Sequence, residues 1–122
     1  MKYQLKVLPY GAVRTGMTPV FSEKTVPQTI LCRHMAPKGK LARLLVLSGK
    51  MQFVWEDTGE VLDADLGHPV VIQAERYHHA RLTGPVQFRV EFYDAPEPRR
   101  KPIDPNAVRP GEAYLEEPAC VK

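Results

Sequence analysis

Apolar or alternating stretches occupy residues 3–8, 29–35, 41–47, 50–56, 69–74, 78–82 and 86–93, and glycine, proline or charged turns separate most of them. No helical period fills the intervals, and twelve prolines and eight glycines leave few windows long enough for an unbroken helix. Strands this closely spaced predict an all-β sandwich, jelly roll or small barrel rather than βαβ units.

Strand faces refine the picture. In 41–47, Leu41, Leu45 and Leu47 share one face and Ala42, Leu44 and Val46 the other, while Val70, Val71 and Ile72 run without a polar break. Such strands need cover on both faces. A second sheet supplies one cover, and the other falls to the tail or to a neighbouring subunit, which predicts a homodimer. In 86–93, Val86, Phe88, Val90 and Phe92 form one stripe and Gln87, Arg89, Glu91 and Tyr93 the other. The polar stripe faces either bulk water or a partly wet pocket. Glu91 is a surface carboxylate in the first case and a ligand in the second.

At 122 residues the chain is expected to hold one domain, and 43% hydrophobic with 25% charged residues is enough apolar material for a packed core. After Tyr93 the composition changes: six of the twelve prolines lie between Ala95 and Lys122. The expected division is a β body at 1–94 and a Pro-rich C-terminal extension at 95–122, in which Tyr114 and Leu115 are available as anchors. No apolar run approaches the ~20 residues of a membrane span. The N-terminal MKYQLKVLPY also lacks the apolar stretch of a secretion signal. A cytoplasmic protein without a membrane partner is the expectation. The formal charge is +3, but Lys and Arg are scattered among acids apart from Arg99, Arg100 and Lys101, so no nucleic-acid partner is expected. Two cysteines, Cys32 and Cys120, are too few for a disulfide framework, and reduced thiols are expected.

Nucleotide and serine-hydrolase signatures are absent: there is no Gly-x-Gly-x-x-Gly, no P-loop and no Gly-x-Ser-x-Gly. Four histidines remain, His34, His68, His78 and His79. A strand over 29–34 places His34 on the face of Ile30 and Cys32, either as a rim histidine or as a ligand. Alternation lets only one of His78 and His79 face an interior. Cys32 is either a further ligand or a small buried hydrophobe. Arg43 and Arg89 are candidates for gripping a carboxylate or oxyanion. Tyr77 and Tyr93 either line a pocket or pack.

Several segments in order carry a family resemblance: T18-P19-V20-F21 with K24-T25, R33-H34, R43-L44-L45-V46-L47-S48-G49, L66-G67, Y77-H78, and F88-R89-V90-E91-F92-Y93 leading into A95-P96-E97. The chain resembles a small cupin of the TehB-like or YeaR-like family, proteins associated with tellurite resistance. The resemblance implies a double-sheet jelly roll holding one divalent metal between its sheets. By matching position it implies His34 and His78 as metal ligands and Glu91 as the acidic one; His68 and His79 match nothing. The usual cupin glutamate ahead of Gly49 is missing, since Ala42 and Arg43 stand near its place. Two histidines and a carboxylate would suit zinc, iron or nickel with positions left open for water or substrate. The implied function is that of a divalent-metal-binding cupin, acting either as a small-molecule metalloenzyme linked to oxyanion resistance or as a non-catalytic sensor. Arg43, Arg89, Tyr77 and Cys32 are its candidate substrate contacts.

Overall fold

The computed structural model describes residues 2–36, 40–74 and 76–94. The expected extension at 95–122, with Cys120, Tyr114 and Leu115, lies outside the described residues. What is described is all-β apart from one 3-10 turn at Gln28–Leu31. The strands are β1 (Val13–Met17), β2 (Phe21–Ser22), β3 (Lys40–Trp55), β4 (Val61–Asp65), β5 (Val70–Ile72) and β6 (His78–Asp94). No helix among the described residues is long and apolar enough to cross a membrane.

Two long antiparallel strands organise everything else. β3 pairs with β6 along its whole length, from Lys40 opposite Asp94 to Trp55 opposite His78. β5 adds to the first half of β3 through Ala42–Ile72 and Leu44–Val70, and β4 adds to the second half through Met51–Ala64 and Phe53–Leu62. β1 and β2 flank β6. The register slips between Val46 and Ser48 and again between Gly49 and Met51, and such bulges bend and twist a strand. Inward residues of both halves, among them Leu44, Val46, Phe88 and Phe92 with Phe53, Trp55, Leu62 and Ala80, join a single core cluster.

The slip also changes which residues face in. Ala42, Leu44 and Val46 are buried on even positions before it, and Met51, Phe53 and Trp55 on odd positions after it. Gly49 lies at the slip with φ +76°, and a Cβ built there would stand 2.3 Å from the Pro85 carbonyl oxygen. Only glycine meets both demands. The sequence suggests two strands, 41–47 and 50–56, with a turn at Gly49; the structure has one strand passing through it.

Three further expectations change. Residues 3–8 form no strand, although the N-terminal segment lines sheet edges: Asp63 donates its amide to the Lys2 carbonyl at 2.7 Å, and Gln4 exchanges side-chain hydrogen bonds with the Val71 backbone at 2.9 and 2.6 Å. Residues 29–35 are not a strand either. They begin as the 3-10 turn that follows Pro27, and only His34 forms a bridge. β1 and β4 were not evident from apolar pattern, because VRTGM is nearly all exposed and VLDAD alternates over only five residues.

Candidate functional site

The space between the two halves of the sheet holds a cavity of about 30 Å³. Its wall includes Ala42, Leu44, Ile72, Val90 and Phe92 from one half and Phe53, His78 and Ala80 from the other, closed by Thr18, Ile30, His34, Met35 and Ala36. Among the described residues of this wall, the only side chains that can ligate a cation through nitrogen are His34 and His78. Both are buried.

Backbone geometry brings them together. His78 opens β6 with Trp55 of β3 on one side, and on its other side it pairs with His34 in an isolated antiparallel bridge. The rings meet edge to face with centroids 4.3 Å apart. His78 also stacks on Phe53 at 5.2 Å and meets the Trp55 ring edge-on at 5.7 Å.

The state of each ring follows from its partner. His34 Nδ1 lies 2.7 Å from the Cys32 carbonyl oxygen and His78 Nδ1 lies 2.8 Å from that of Arg76. A carbonyl only accepts, so Nδ1 carries the proton and the lone pair sits on Nε2. Burial lowers the His34 pKa to about 4, against the raising effect of its bond to Cys32. Burial, followed by proximity to His34, holds His78 well below its ordinary 6.5. Both imidazoles are neutral at pH 7. Fixing the tautomer through Nδ1 is how proteins orient a metal-ligating histidine.

Glu91 stands elsewhere. It pairs directly with Arg43 across the β3–β6 ladder, while its neighbours Val90 and Phe92 line the cavity. Adjacent strand residues face opposite ways, so Glu91 lies on the outer face. It is nevertheless 2% exposed. Its Oε1 accepts from Arg43 at 2.9 Å and from the Tyr93 hydroxyl at 2.7 Å, and its Oε2 accepts from Arg14 at 3.2 Å and Arg89 at 3.3 Å. Desolvation would raise its pKa, but the Tyr93 and Arg43 bonds outweigh it and hold the carboxyl at about 2.

The structure therefore brings together two of the three expected ligands. His34 and His78 share the cavity, and Glu91 does not reach it. Among the described residues, no group of three or more His, Cys, Asp and Glu side chains is placed to hold a metal ion. The other expected contacts part company too. Arg43 and Arg89 belong to the outer Glu91 cluster, and Tyr77 packs beneath the Arg33 guanidinium at 3.8 Å. Cys32 is disulfide-bonded, which corrects the expectation of a reduced thiol; a disulfide sulfur is not a thiolate and is no ligand. His79 turns away from the cavity to pair with Glu56, and His68 pairs with Asp65 at 2.6 Å beneath the Tyr3 ring.

Thr18 and Arg14 gained no role from sequence. Thr18 closes the cavity by donating its amide to the Val90 carbonyl at 2.8 Å and accepting the Val90 amide on Oγ1 at 3.0 Å. Arg14 lies on β1, whose exposed pattern carries no signal.

A sequence profile of the TehB-like domain matches residues 17–90, which include both cavity histidines. The chain belongs to the TehB-like family. Its relatives include the uncharacterised protein YeaR of Escherichia coli strain K12, 25% identical over an alignment of 100 positions that covers 74% of this chain and 84% of YeaR. Three crystal structures are similar in fold. One is of a protein from E. coli strain K12, with TM-score 0.69 and 24% identity, covering 76% of this chain and 100% of that one. TehB from Haemophilus influenzae follows at TM-score 0.62 and 19% identity, over 69% of this chain and 32% of TehB. A cupin protein from Bacteroides fragilis gives TM-score 0.51 and 17% identity, over 89% and 99%. This TehB-like chain thus has the cupin-like β-sandwich that its strand pattern and family resemblance led us to expect.

Proposed function

We propose that the protein is a cupin-fold metal-binding protein that takes one nitrogen-preferring divalent cation on Nε2 of His34 and His78. The observation that carries this reading is the pair of buried, neutral imidazoles with Nδ1 committed to backbone carbonyls at one small cavity. Cavity size supports a cation over an organic ligand, because about 30 Å³ accommodates an ion or a water. Organic ligands occupy sites of roughly 300 Å³ or more. Two nitrogen donors favour copper, nickel or zinc over iron or manganese.

Bound there, such an ion would supply a Lewis-acid centre with positions left for water or a small anion. The residues themselves bind and orient it and exclude bulk water. The cavity wall holds no carboxylate among its described residues, so those residues offer no carboxylate general base beside the imidazoles. That feature favours binding or sensing over turnover.

Chelator-stripped protein dialysed against zinc or nickel is expected to retain one equivalent by elemental analysis, and the His34→Ala/His78→Ala double variant is expected to retain none. Equal metal content in both would overturn the reading.

A further inference from the structure

The arginine cluster on the outer face has more positive charge than its structural role uses. Three guanidinium groups, those of Arg14, Arg43 and Arg89, converge on the single carboxylate of Glu91. Lys40 and Asp94, at the end of the same ladder, pair with each other at 2.6 Å. Counted over the described residues, the cluster keeps a surplus of two positive charges.

Donor counting gives the same answer. A carboxylate has about four lone-pair sites, and Glu91 already accepts four bonds, from Arg14, Arg43, Arg89 and Tyr93. It has no capacity for more. Each guanidinium brings five N–H donors and spends one on Glu91. Among the described residues, the buried Nε atoms of Arg43 and Arg89 have no hydrogen-bond partner. The arginine side chains remain 48, 32 and 31% exposed for Arg14, Arg43 and Arg89, so outward-facing donors are accessible.

A structural role alone accounts poorly for this arrangement. One arginine neutralises a buried carboxylate, and each additional one adds like-charge repulsion. The register holds them together regardless: Arg43 is directly opposite Glu91, Arg89 is two residues before it on β6, and Arg14 is opposite Tyr93. Leu41, Leu45 and Val71 share this face through their cross-strand pairing with Tyr93, Arg89 and Arg43, giving the cationic centre an apolar border. Rigid guanidinium groups fixed at a partly desolvated place are how proteins grip planar or tetrahedral oxyanions.

We propose that Arg14, Arg43 and Arg89, braced by Glu91 and Tyr93, form a binding site for a small oxygen-rich anion of the carboxylate or phosphate class, on the sheet face opposite the His34–His78 cavity. The site is independent of a metal in that cavity.

The test is calorimetric titration of the chelator-treated full chain with phosphate, sulfate and succinate at constant ionic strength, with sodium chloride as the reference. At least one of the three is expected to saturate at one equivalent, and the strongest of them identifies the anion class. Arg14→Gln and Arg89→Gln each remove a charged donor while leaving Arg43 on Glu91, and each is expected to weaken binding by about tenfold. Arg81→Gln, an exposed arginine on β6 outside the cluster, is expected to bind the anion as the parent does. No saturation with any of the three anions, unchanged affinity in both cluster variants, or an equal loss of binding in Arg81→Gln would each overturn the proposal.

Discussion

His34 and His78 exchange two backbone hydrogen bonds, at 3.0 and 2.9 Å, and their rings meet 4.3 Å apart at the cavity between the sheet halves. The bridge fixes both Cα positions, so the proposed metal-binding pair does not depend on a flexible loop. It also makes His78 a packing residue. His78→Ala opens a space beside Phe53 and Trp55 and should cost roughly 2–4 kcal/mol in the metal-free protein, as other large-to-small core changes do. Urea denaturation checks this, and a cost below about 1 kcal/mol would show the ring to be loosely packed.

The same burial sets a pH dependence. His34 titrates at about 4 in the fold, because burial opposes its charge, and at 6.5 when unfolded. Between those values the unfolded chain binds the proton and the native chain does not, so unfolding is favoured as pH falls. Stability from this source is complete above pH 6.5 and lost progressively down to about pH 4, by roughly 3 kcal/mol. Glu91 acts in a lower window: its folded carboxyl, held at about 2 against 4.5 unfolded, gives stability that is complete above pH 4.5 and lost toward pH 2. Denaturant midpoints of metal-free protein from pH 7 to 4 should fall, and His34→Gln should flatten that slope. A parallel slope in the variant would assign the loss to other groups.

Glu91→Gln separates the outer cluster from the cavity. It removes the one negative charge shared by three arginines, and breaking such a buried pairing costs roughly 3–5 kcal/mol. Since Val90 and Phe92, not Glu91, line the cavity, zinc affinity should be unchanged at a temperature where the variant is folded. A zinc affinity reduced tenfold or more would return Glu91 to the metal shell.

Gly49 and Gly59 form a natural control pair. Both have φ +76°, but a Cβ on Gly49 meets the Pro85 carbonyl at 2.3 Å while one on Gly59 meets nothing within 4 Å. Gly59→Ala should cost about 1 kcal/mol from backbone conformation alone. Gly49→Ala should cost at least about 3 kcal/mol, because two paired long strands must also separate. Equal costs in thermal melts would mean that the slip relaxes freely.

Much of this was legible in the sequence. Val86, Phe88, Val90 and Phe92 read correctly as one face, which the structure turns inward, and alternation correctly turns only one of His78 and His79 inward. Glu91 was ambiguous for a physical reason. It is buried while lying on the outer face, because arginines from β1, β3 and β6 fold over it, and periodicity along one strand cannot report what neighbouring strands place above it. The segment around His34 reads as a strand because a period of two puts Ile30, Cys32 and His34 on one face, yet Gln28–Leu31 turns and the bridge is made by His34 alone. The sequence divides β3 at Gly49, and β6 between 78–82 and 86–93 at Gly84-Pro85, since glycine and proline are ordinary turn signals, whereas both strands run through and Gly49 permits their close approach.

Whether two imidazoles share one cation is read in the histidine side-chain nitrogen chemical shifts during a zinc titration of the metal-free protein. Nε2 of His34 and of His78 should move together and saturate at one equivalent, with His68 and His79 unmoved. Zinc shifting only His68 or His79, or leaving both buried rings unchanged, would contradict a shared cation.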